Sequence, residues 1–312
     1  MASPLRHFFI ALSKSPQLQS VIVGFPVSRQ AARRFVAGER LEDAIDAIRA
    51  TNAAGMAATL DFLGEHVDSE TEARVNADEY IRALHAIHQA GLDANISIKL
   101  TAMGLAVDDE FCYQNVRRIV EAAADLGNFV RIDMEDSPVT DRTIAIYERL
   151  RDDFANTGLV LQAYLYRTEG DVRRLMEAGR GHFRLCKGAY DEPPEVAWQE
   201  KADVDSNLVK LMTLMLDSRG AYPGVYPALA SHDHMIINWT KAYAYTHNIS
   251  PDRFEFQMLY GIRRDLQQRL ADQGYRMRVY IPYGTRWYPY YMRRLAERPA
   301  NVVFFARAMF GN

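Results

Sequence analysis

The sequence predicts a (β/α)8 barrel of the TIM type, with extra N-terminal helices and a C-terminal helix over the barrel mouth. Eight short β-rich segments alternate with amphipathic helical stretches over about 250 residues, which is typical of this fold. The main alternative, an open doubly wound sheet, would usually carry a GxGxxG turn or a phosphate-binding loop. Neither motif is present in the 312 residues, so the barrel is favoured.

The predicted elements follow one another in a regular order. The strands fall at residues 55–62, 94–100, 129–134, 158–164, 182–188, 227–231, 253–259 and 276–282. Helical stretches lie between them, most clearly at 71–90, 109–126, 138–155 and 195–218. Residues 1–50 are expected to form helices of the same domain, and residues 51–312 the catalytic barrel.

Composition excludes several classes of protein. The net charge of -3 and a pI of about 6.3 argue against a nucleic-acid partner. Only two cysteines are present, Cys112 and Cys186, without a CxxC motif, which argues against a disulfide framework or a thiolate metal site and indicates a cytoplasmic protein. His85 and His88 lack a third ligand nearby, so no metal site is expected. No apolar run could span a membrane, but peripheral contact with its inner face stays open.

Polar side chains alternate with apolar ones along several predicted strands. Helices cover the outer face of a barrel, so the polar set should point inward. One inward layer would contain Arg131, Glu255 and Arg278, which we interpret as a structural ion network. The layer nearer the strand C-termini would contain Asp61, Lys99, Asp133, Gln162, Arg184 and Tyr280. Buried charges must be paired or liganded, and barrel enzymes place their chemistry at this end.

The last helix carries a candidate carboxylate clamp. Tyr290, Arg293, Arg294 and Glu297 are three or four residues apart and therefore share a side of the helix. Glu297 can hold the arginines, and two adjacent guanidinium groups beside the barrel mouth suit a carboxylate ligand. A solvated helix face is the alternative. The neighbouring tyrosines and Trp287 argue against a solvated face, because aromatic residues rarely cluster on a surface that binds nothing.

Seven segments occur in one order along the chain and resemble bacterial proline dehydrogenases of the short, single-function form. They are SIKLT (97–101), RIDMED (131–136), LQAY (161–164), FRLCKGAY (183–190), ASHD (230–233), FEFQMLYG (254–261) and VYIPYGTRWYPYYMRRLAERPAN (279–301). The resemblance extends over about residues 55–303. It implies a barrel that binds FAD, oxidises L-proline to Δ1-pyrroline-5-carboxylate and passes electrons to a quinone. Pyrroline-5-carboxylate dehydrogenase would be a functional partner.

The resemblance also implies roles for individual residues. Asp133 and Arg184 would be catalytic, with Asp133 ordering the polar layer and Arg184 reaching the flavin N5 edge. The proline carboxylate would be bound by Lys99, Arg293 and Arg294, and the ring would be contacted by Leu259, Tyr280 and Tyr290. FAD would be lined by Met134, Gln162, Arg184, Lys187, Gly188, Ala189, Ser231 and His232. Glu65 would pair with Arg293 as a gate over the substrate.

One position departs from the pattern, and two other functions stay open. Cys186 replaces the family's usual aliphatic residue, but a buried cysteine behaves as a small hydrophobe. A lysine at a strand end, Lys99 or Lys187, could instead form a Schiff base with a carboxylate substrate or pyridoxal phosphate. A third hypothesis is a barrel that binds an amino acid without chemistry. The absorbance spectrum separates the three.

Overall fold

Eight parallel strands close into a barrel in the computed structural model, which describes residues 30, 32–64, 67–222 and 224–297, without the side chains of 295–297. The strands pair in chain order and β8 closes on β1. They are β1 (Ala57–Phe62), β2 (Ala94–Ile98), β3 (Val130–Ile132), β4 (Thr157–Gln162), β5 (His182–Cys186), β6 (Tyr226–Ala230), β7 (Glu255–Leu259) and β8 (Met277–Tyr283). The predicted barrel is confirmed.

Within the described residues, helix α1 directly precedes the first strand and one α-helix follows each strand. They are α1 (Leu41–Ala53), α2 (Glu70–Gln89), α3 (Asp109–Asp125), α4 (Thr140–Asp153), α5 (Thr168–Glu177), α6 (Lys201–Ser218), α7 (His234–Thr246), α8 (Arg264–Asp272) and α9 (Trp287–Glu297). Helix α1 packs on β1 and β8. It is the described part of the predicted N-terminal helices, and the assignment of residues 1–50 to the same domain stays a prediction.

Local capping explains where several helices begin. The Ser69 side chain accepts a hydrogen bond from the backbone N–H of Glu72 at 3.3 Å. Asp108 does the same for Phe111 at 2.9 Å, and Asp233 for Met235 at 3.1 Å. Each cap satisfies a backbone donor that the first helical turn leaves without an intrahelical partner. The local sequence therefore determines where α2, α3 and α7 begin.

Strand register decides which side chains enter the barrel. Thr59 lies opposite Asn95, and Asp61 lies opposite Ser97. Ser97 in turn lies opposite Arg131. Their apolar neighbours, such as Ile96 and Ile98, are fully buried in the core between strands and helices. The predicted assignment of polar residues to the inside and apolar residues to the outside is thus confirmed for these strands.

A second apolar cluster places α9 at the barrel mouth, by which we mean the carboxyl ends of the strands. Leu63 follows β1 and Ile262 follows β7, and both pack against α9. Leu259, the last residue of β7, also packs there. The full cluster, called here the C-terminal aromatic cluster, contains Ala32, Phe35, Val36, Leu63, Ile262, Trp287, Tyr288, Tyr290, Tyr291 and Met292. Helix α9 therefore lies at the barrel mouth, as the sequence predicts, and the structure places it on the β1 and β7 side.

One helix begins later than its pattern indicates. The stretch predicted at 195–218 becomes helical only at Lys201. Residues before it pair with the β4–α5 loop through an antiparallel bridge between Leu165 and Ala197. Two prolines, Pro193 and Pro194, also restrict the backbone there.

No described helix is both long and apolar enough to cross a bilayer.

Candidate active site

Lys99 lies at the centre of a buried polar layer in the barrel mouth. Its Nζ is 2.9 Å from both carboxylate oxygens of Asp61 and 3.5 Å from Oδ2 of Asp133. It also donates to the hydroxyl of Tyr280 at 3.1 Å. Burial raises the pKa of Asp61, and the nearby ammonium of Lys99 opposes that rise. The ends of strands β1, β2, β3 and β8 thus bring together residues that are far apart in the sequence.

Asp133 joins Lys99 to the other side of the layer. Its Oδ2 accepts from the Tyr280 hydroxyl at 2.8 Å, and its Oδ1 accepts from Arg184 at 2.7 Å. Arg184 also donates to Ser97 at 2.9 Å and to Gln257. Burial, followed by the Asp133 carboxylate, raises the pKa of Tyr280 well above its ordinary value, so the hydroxyl stays a donor. Five of the six residues predicted for this layer therefore form one connected network, and the sixth, Gln162, instead donates to the carbonyl of Met134 at 3.5 Å.

The lower inward layer differs in part from its prediction. Glu255 and Arg278 form the expected ion pair at 3.1 Å. Burial acts to raise the pKa of Glu255, but the charge of Arg278 and the hydrogen bonds from Gln257 and Arg278 together lower it. Arg131 instead donates to the carbonyl of His182 at 2.8 Å and lies 3.0 Å from the His182 ring. No carboxylate of the described residues forms an ion pair with it. Arg131 therefore interacts with Glu255 of this layer through the attraction between their charges and not through a direct ion pair, because β5 supplies a closer neutral partner.

Helix α9 presents its two arginines in different environments. Arg294 is 7% exposed, and its guanidinium lies 5.0 Å over the ring of Tyr290. Arg293 is half-buried. Trp287 and Tyr291 are buried in the C-terminal aromatic cluster, so this helix is not an idle solvated face. Two of the predicted interactions, Glu297 with the arginines and Glu65 as a gate, fall on side chains outside those that the structure describes.

The predicted cofactor residues line the mouth from β3 to β6. Met134, Gln162 and Ser231 are buried, and Ala189 is exposed. The Gln162 side-chain oxygen is buried without a hydrogen-bond partner among the described atoms. The Ser231 hydroxyl accepts from the Asp233 N–H at 3.1 Å, and His232 Nε2 accepts from the Leu259 N–H at 3.0 Å. These residues form a continuous rim, and the roles predicted for them stay predictions.

Glycine is required at position 188 of this rim. Its φ is +121°, a region that residues with a side chain rarely adopt. A Cβ here would also overlap the ring of Tyr164. The neighbouring Lys187 extends from the rim to Asp233, at 3.0 Å, and to Asp205, at 2.5 Å. Burial acts to raise the pKa of Asp233, but the hydrogen bond and charge of Lys187, with further hydrogen bonds from the Met235 N–H and Lys201, lower it to about 2.

Sequence comparison decides the family. A model of the proline dehydrogenase family matches residues 44–307 of the chain. The chain belongs to the proline dehydrogenase family.

Individual relatives agree with this proline dehydrogenase assignment. Proline dehydrogenase 1 of Bacillus subtilis is 42% identical over 305 residues, which cover 98% of this chain and 99% of that protein. The proline dehydrogenase of Deinococcus radiodurans is 44% identical over 283 residues, with 89% of each chain covered. The resemblance to bacterial proline dehydrogenases is confirmed, and the chain is an oxidoreductase of this flavin-dependent family.

Solved structures support the proline dehydrogenase fold. Proline utilization A from Bdellovibrio bacteriovorus, inactivated by N-propargylglycine, matches 93% of this chain with a TM-score of 0.81 and 25% identity. Proline utilization A from Bradyrhizobium japonicum matches 94% with a TM-score of 0.74 and 24% identity. This chain spans about a third of each of those larger chains, 36% and 33% respectively.

Several residues that contact the predicted proline dehydrogenase site were not predicted from the sequence. Ser97 and Gln257 bind Arg184, and their position in the inward set of β2 and β7 was a signal that could have found them. Asp205 and Asp233 bind Lys187, and Tyr80 binds Asp61. These three lie on or beside helices, where no strand alternation indicates their direction. No described group of three or more His, Cys, Asp or Glu residues could hold a metal ion.

The departure at Cys186 fits the proline dehydrogenase barrel. Its Sγ lies 3.8 Å from the carbonyl of Leu161 on β4. Burial raises the pKa of this thiol to about 12, so it stays protonated and behaves as a small apolar side chain.

Proposed function

We propose that the chain uses FAD to oxidise L-proline to Δ1-pyrroline-5-carboxylate and passes the electrons to a quinone. Membership of the proline dehydrogenase family supports the reaction class. The single observation that carries the finer statement is the buried, charge-balanced layer at the mouth. It pairs Lys99 and Arg184 with Asp61 and Asp133, beside a helix that carries Arg294.

The charges of this layer explain why a carboxylate substrate requires the last helix. Asp61 and Asp133 already balance Lys99 and Arg184. A bound carboxylate adds one negative charge and therefore needs further cations to avoid a buried excess. Arg293 and Arg294 on α9 supply them from the β1 and β7 side of the mouth. We propose that these arginines and Lys99 bind the proline carboxylate together.

The same part of the mouth offers apolar surfaces for the proline ring. Leu259 at the end of β7 lies opposite Tyr280 on β8. Leu259 also packs against the C-terminal aromatic cluster, which contains Tyr290. The Tyr280 hydroxyl is held by Lys99 and Asp133, which limits how far its ring can turn. We propose that Leu259, Tyr280 and Tyr290 surround the ring while its carboxylate is bound.

The rim from β3 to β6 fits a dinucleotide cofactor. The buried oxygen of Gln162, which lacks a described partner, is available to a polar group of the ligand. Gly188 keeps its backbone open where any side chain would collide with Tyr164. Lys187 provides a cation beside this glycine. We propose that FAD is held by Met134, Gln162, Arg184, Lys187, Gly188, Ala189, Ser231 and His232.

The protein's part in the reaction is to position and to polarise. Oxidation removes a hydride from C5 of proline and a proton from its nitrogen, and a bound flavin supplies the hydride acceptor. Holding the carboxylate fixes the opposite end of the small ring in one orientation. Asp133 holds Arg184 with one oxygen and Tyr280 with the other. We propose Arg184 for the N5 edge of the flavin and Asp133 as the residue that keeps Arg184 there.

Other parts of the proposal extend beyond the described residues or the chain itself. The gate between Glu65 and Arg293 stays a prediction, as do cytoplasmic location, contact with the inner membrane face and the absence of a nucleic-acid partner. Bifunctional PutA proteins of Escherichia coli and Klebsiella aerogenes match 89% of this chain over 24% of their own length. A functional link to pyrroline-5-carboxylate dehydrogenase is the corresponding proposal for this chain.

Anaerobic titration tests the proposed function. The purified, FAD-saturated protein is mixed with L-proline in the absence of oxygen, and absorbance in the flavin bands is followed. L-proline should bleach these bands, whereas cyclopentanecarboxylate should bind without bleaching because it lacks the nitrogen. A folded, FAD-loaded protein that L-proline leaves oxidised would contradict the assignment.

The Schiff-base alternative is disfavoured by the contacts of both lysines. Schiff-base formation requires a neutral amine. Lys99 contacts Asp61 and Asp133, and Lys187 contacts Asp205 and Asp233. Forming a Schiff base would break the ion pairs of either lysine with its two carboxylates. Absorbance that borohydride bleaches, in a protein without flavin, would revive the alternative, and a colourless protein that binds proline would favour the binding barrel.

A further inference from the structure

Tyr80 reaches the barrel mouth from outside the barrel. It lies on α2, is fully buried, and packs edge-to-face on Phe62 with ring centroids 6.3 Å apart. Its hydroxyl lies 3.2 Å from Oδ1 of Asp61 and receives a hydrogen bond from the Phe62 N–H at 3.1 Å. A helix side chain thereby contacts the carboxylate that holds Lys99.

The direction of these hydrogen bonds follows from the chemistry of the groups. A tyrosine hydroxyl has one proton to donate, and the Phe62 N–H occupies one of its acceptor sites. The Phe62 carbonyl lies 3.3 Å away and Asp61 Oδ1 lies 3.2 Å away. A charged acceptor forms the stronger hydrogen bond, so the Tyr80 hydroxyl donates to the Asp61 carboxylate. Burial, followed by the Asp61 charge, raises the pKa of Tyr80 well above its ordinary value, which keeps the proton in place.

Asp61 in turn fixes the end of a flexible side chain. Lys99 follows β2 by one residue, and its ammonium is carried on a four-carbon stem with many rotamers. Asp61 contacts Nζ with both oxygens at 2.9 Å, closer than Asp133 at 3.5 Å. Whatever fixes the orientation of the Asp61 carboxylate therefore also fixes where the Lys99 ammonium lies.

We infer that Tyr80 and Asp61 are positioning residues that hold the Lys99 ammonium where it meets the substrate carboxylate. This inference rests on the proposed function, because it assigns Lys99 to carboxylate binding. Neither Tyr80 nor Asp61 needs to contact the substrate, and both act through Lys99. Loss of the Tyr80 hydroxyl should therefore weaken carboxylate binding and leave cofactor binding and the oxidation step nearly unchanged.

Tyr80→Phe tests the inference with Tyr147→Phe as its matched control. Tyr147 is also a fully buried helix tyrosine, but its hydroxyl donates to the backbone carbonyl of Arg180 at 2.8 Å. In the FAD-loaded protein, Tyr80→Phe should raise the Kd of cyclopentanecarboxylate and the KM of L-proline by about fivefold. Flavin reduction at saturating proline and the Kd of FAD should change by less than about twofold. Tyr147→Phe should change neither ligand constant.

A double-mutant cycle separates positioning from a general structural role. In a Lys99→Met background, Tyr80→Phe should have no further effect on the Kd of cyclopentanecarboxylate, since the residue it acts through is gone. Asp61→Asn, which keeps the shape but removes the charge, should act in the same direction as Tyr80→Phe and more strongly. An unchanged Kd in Tyr80→Phe, or an equal effect with and without Lys99, would overturn the inference.

The design also distinguishes failure of the inference from failure of the proposed function. If the parent protein neither binds cyclopentanecarboxylate nor is bleached by L-proline, the proposed function fails and the inference fails with it. If the parent does both and Tyr80→Phe behaves like Tyr147→Phe, the function stands and only the positioning role is overturned.

Discussion

Lys99 and Lys187 have chemically similar partners, because each lysine contacts two aspartates at the barrel mouth. Lys99 and its partners Asp61 and Asp133 have side chains that are 11%, 1% and 11% exposed. The corresponding values for Lys187, Asp205 and Asp233 are 28%, 23% and 20%. Lys201 also contacts both aspartates of the second group. The first group is buried, whereas the second is more exposed to solvent and has Lys201 as an additional cation.

Burial therefore separates two arrangements that look alike chemically. Charges taken out of water stabilise a fold only while every partner is present, because a buried charge left alone is expensive. Charges near solvent are screened and their partners can be exchanged at little cost. Loss of one charged residue should therefore destabilise the Lys99 group strongly and the Lys187 group only slightly.

The largest expected effect is on stability and concerns these two lysines. Lys99→Met leaves Asp61 and Asp133 with one buried cation fewer, and should lower the free energy of unfolding by about 3–5 kcal/mol. Lys187→Met leaves Lys201 beside Asp205 and Asp233, and should cost about 1 kcal/mol or less. Urea unfolding with and without saturating FAD measures both. Equal losses would remove the distinction between the two groups.

The next effect concerns the arginine that we assign to the substrate. Arg294→Met should raise the KM for L-proline at least tenfold, since a charge-assisted bond to a buried carboxylate is worth about 1.5–3 kcal/mol. FAD content should be retained. Arg149→Met is the control, because its guanidinium also lies over a tyrosine ring, that of Tyr113, on the outer surface. A KM within about twofold of the parent would remove Arg294 from the substrate site.

A smaller effect should appear on the cofactor rim. Gly188→Ala places a Cβ against Tyr164 at a φ of +121°, so the segment must shift and the Kd of FAD should rise about tenfold. The KM for proline in the FAD-saturated protein should stay within about twofold. Gly170→Ala on α5 is the control, since a Cβ there meets no atom within 4 Å. Equal FAD affinity in both variants would show that the rim does not bind the cofactor.

The smallest effect lies below both groups, in the lower layer. Burial, followed by Arg131, lowers the pKa of His182 well below 6.5, so the folded protein keeps it neutral. The unfolded chain takes up a proton below about pH 6.5, and this stabilisation is therefore lost as the pH falls below that value.

Variants at position 182 measure this pH effect. His182→Asn should remove up to about 1.4 kcal/mol of stability loss per pH unit between about pH 6.5 and 5. His85→Asn, on the exposed face of α2, is the control and should follow the parent. Urea unfolding across this range checks both, and parallel curves for the parent and His182→Asn would contradict the assignment of a neutral histidine.

The barrel was accessible from the sequence because its signals are local. Alternation along β2 and β7 assigns Lys99 and Glu255 to the inside without knowledge of any neighbour. Caps such as Ser69 and Asp108 mark helix starts within three residues. The start of α6 at Lys201 could not be read in the same way, since the preceding residues form a bridge to a loop more than 30 positions earlier.

The sequence by itself determined the barrel, the inward polar set and the family, because each depends on side-chain order along one chain. Only the tertiary structure decided the partners within that set. Lys99 and Asp61 are 38 positions apart, and Arg131 and His182 are 51 positions apart. Which of several inward charges meet depends on strand register and on burial, and neither is encoded at one position. Tyr80 shows this most clearly, since nothing in the pattern of α2 indicates that its hydroxyl contacts an aspartate inside the barrel.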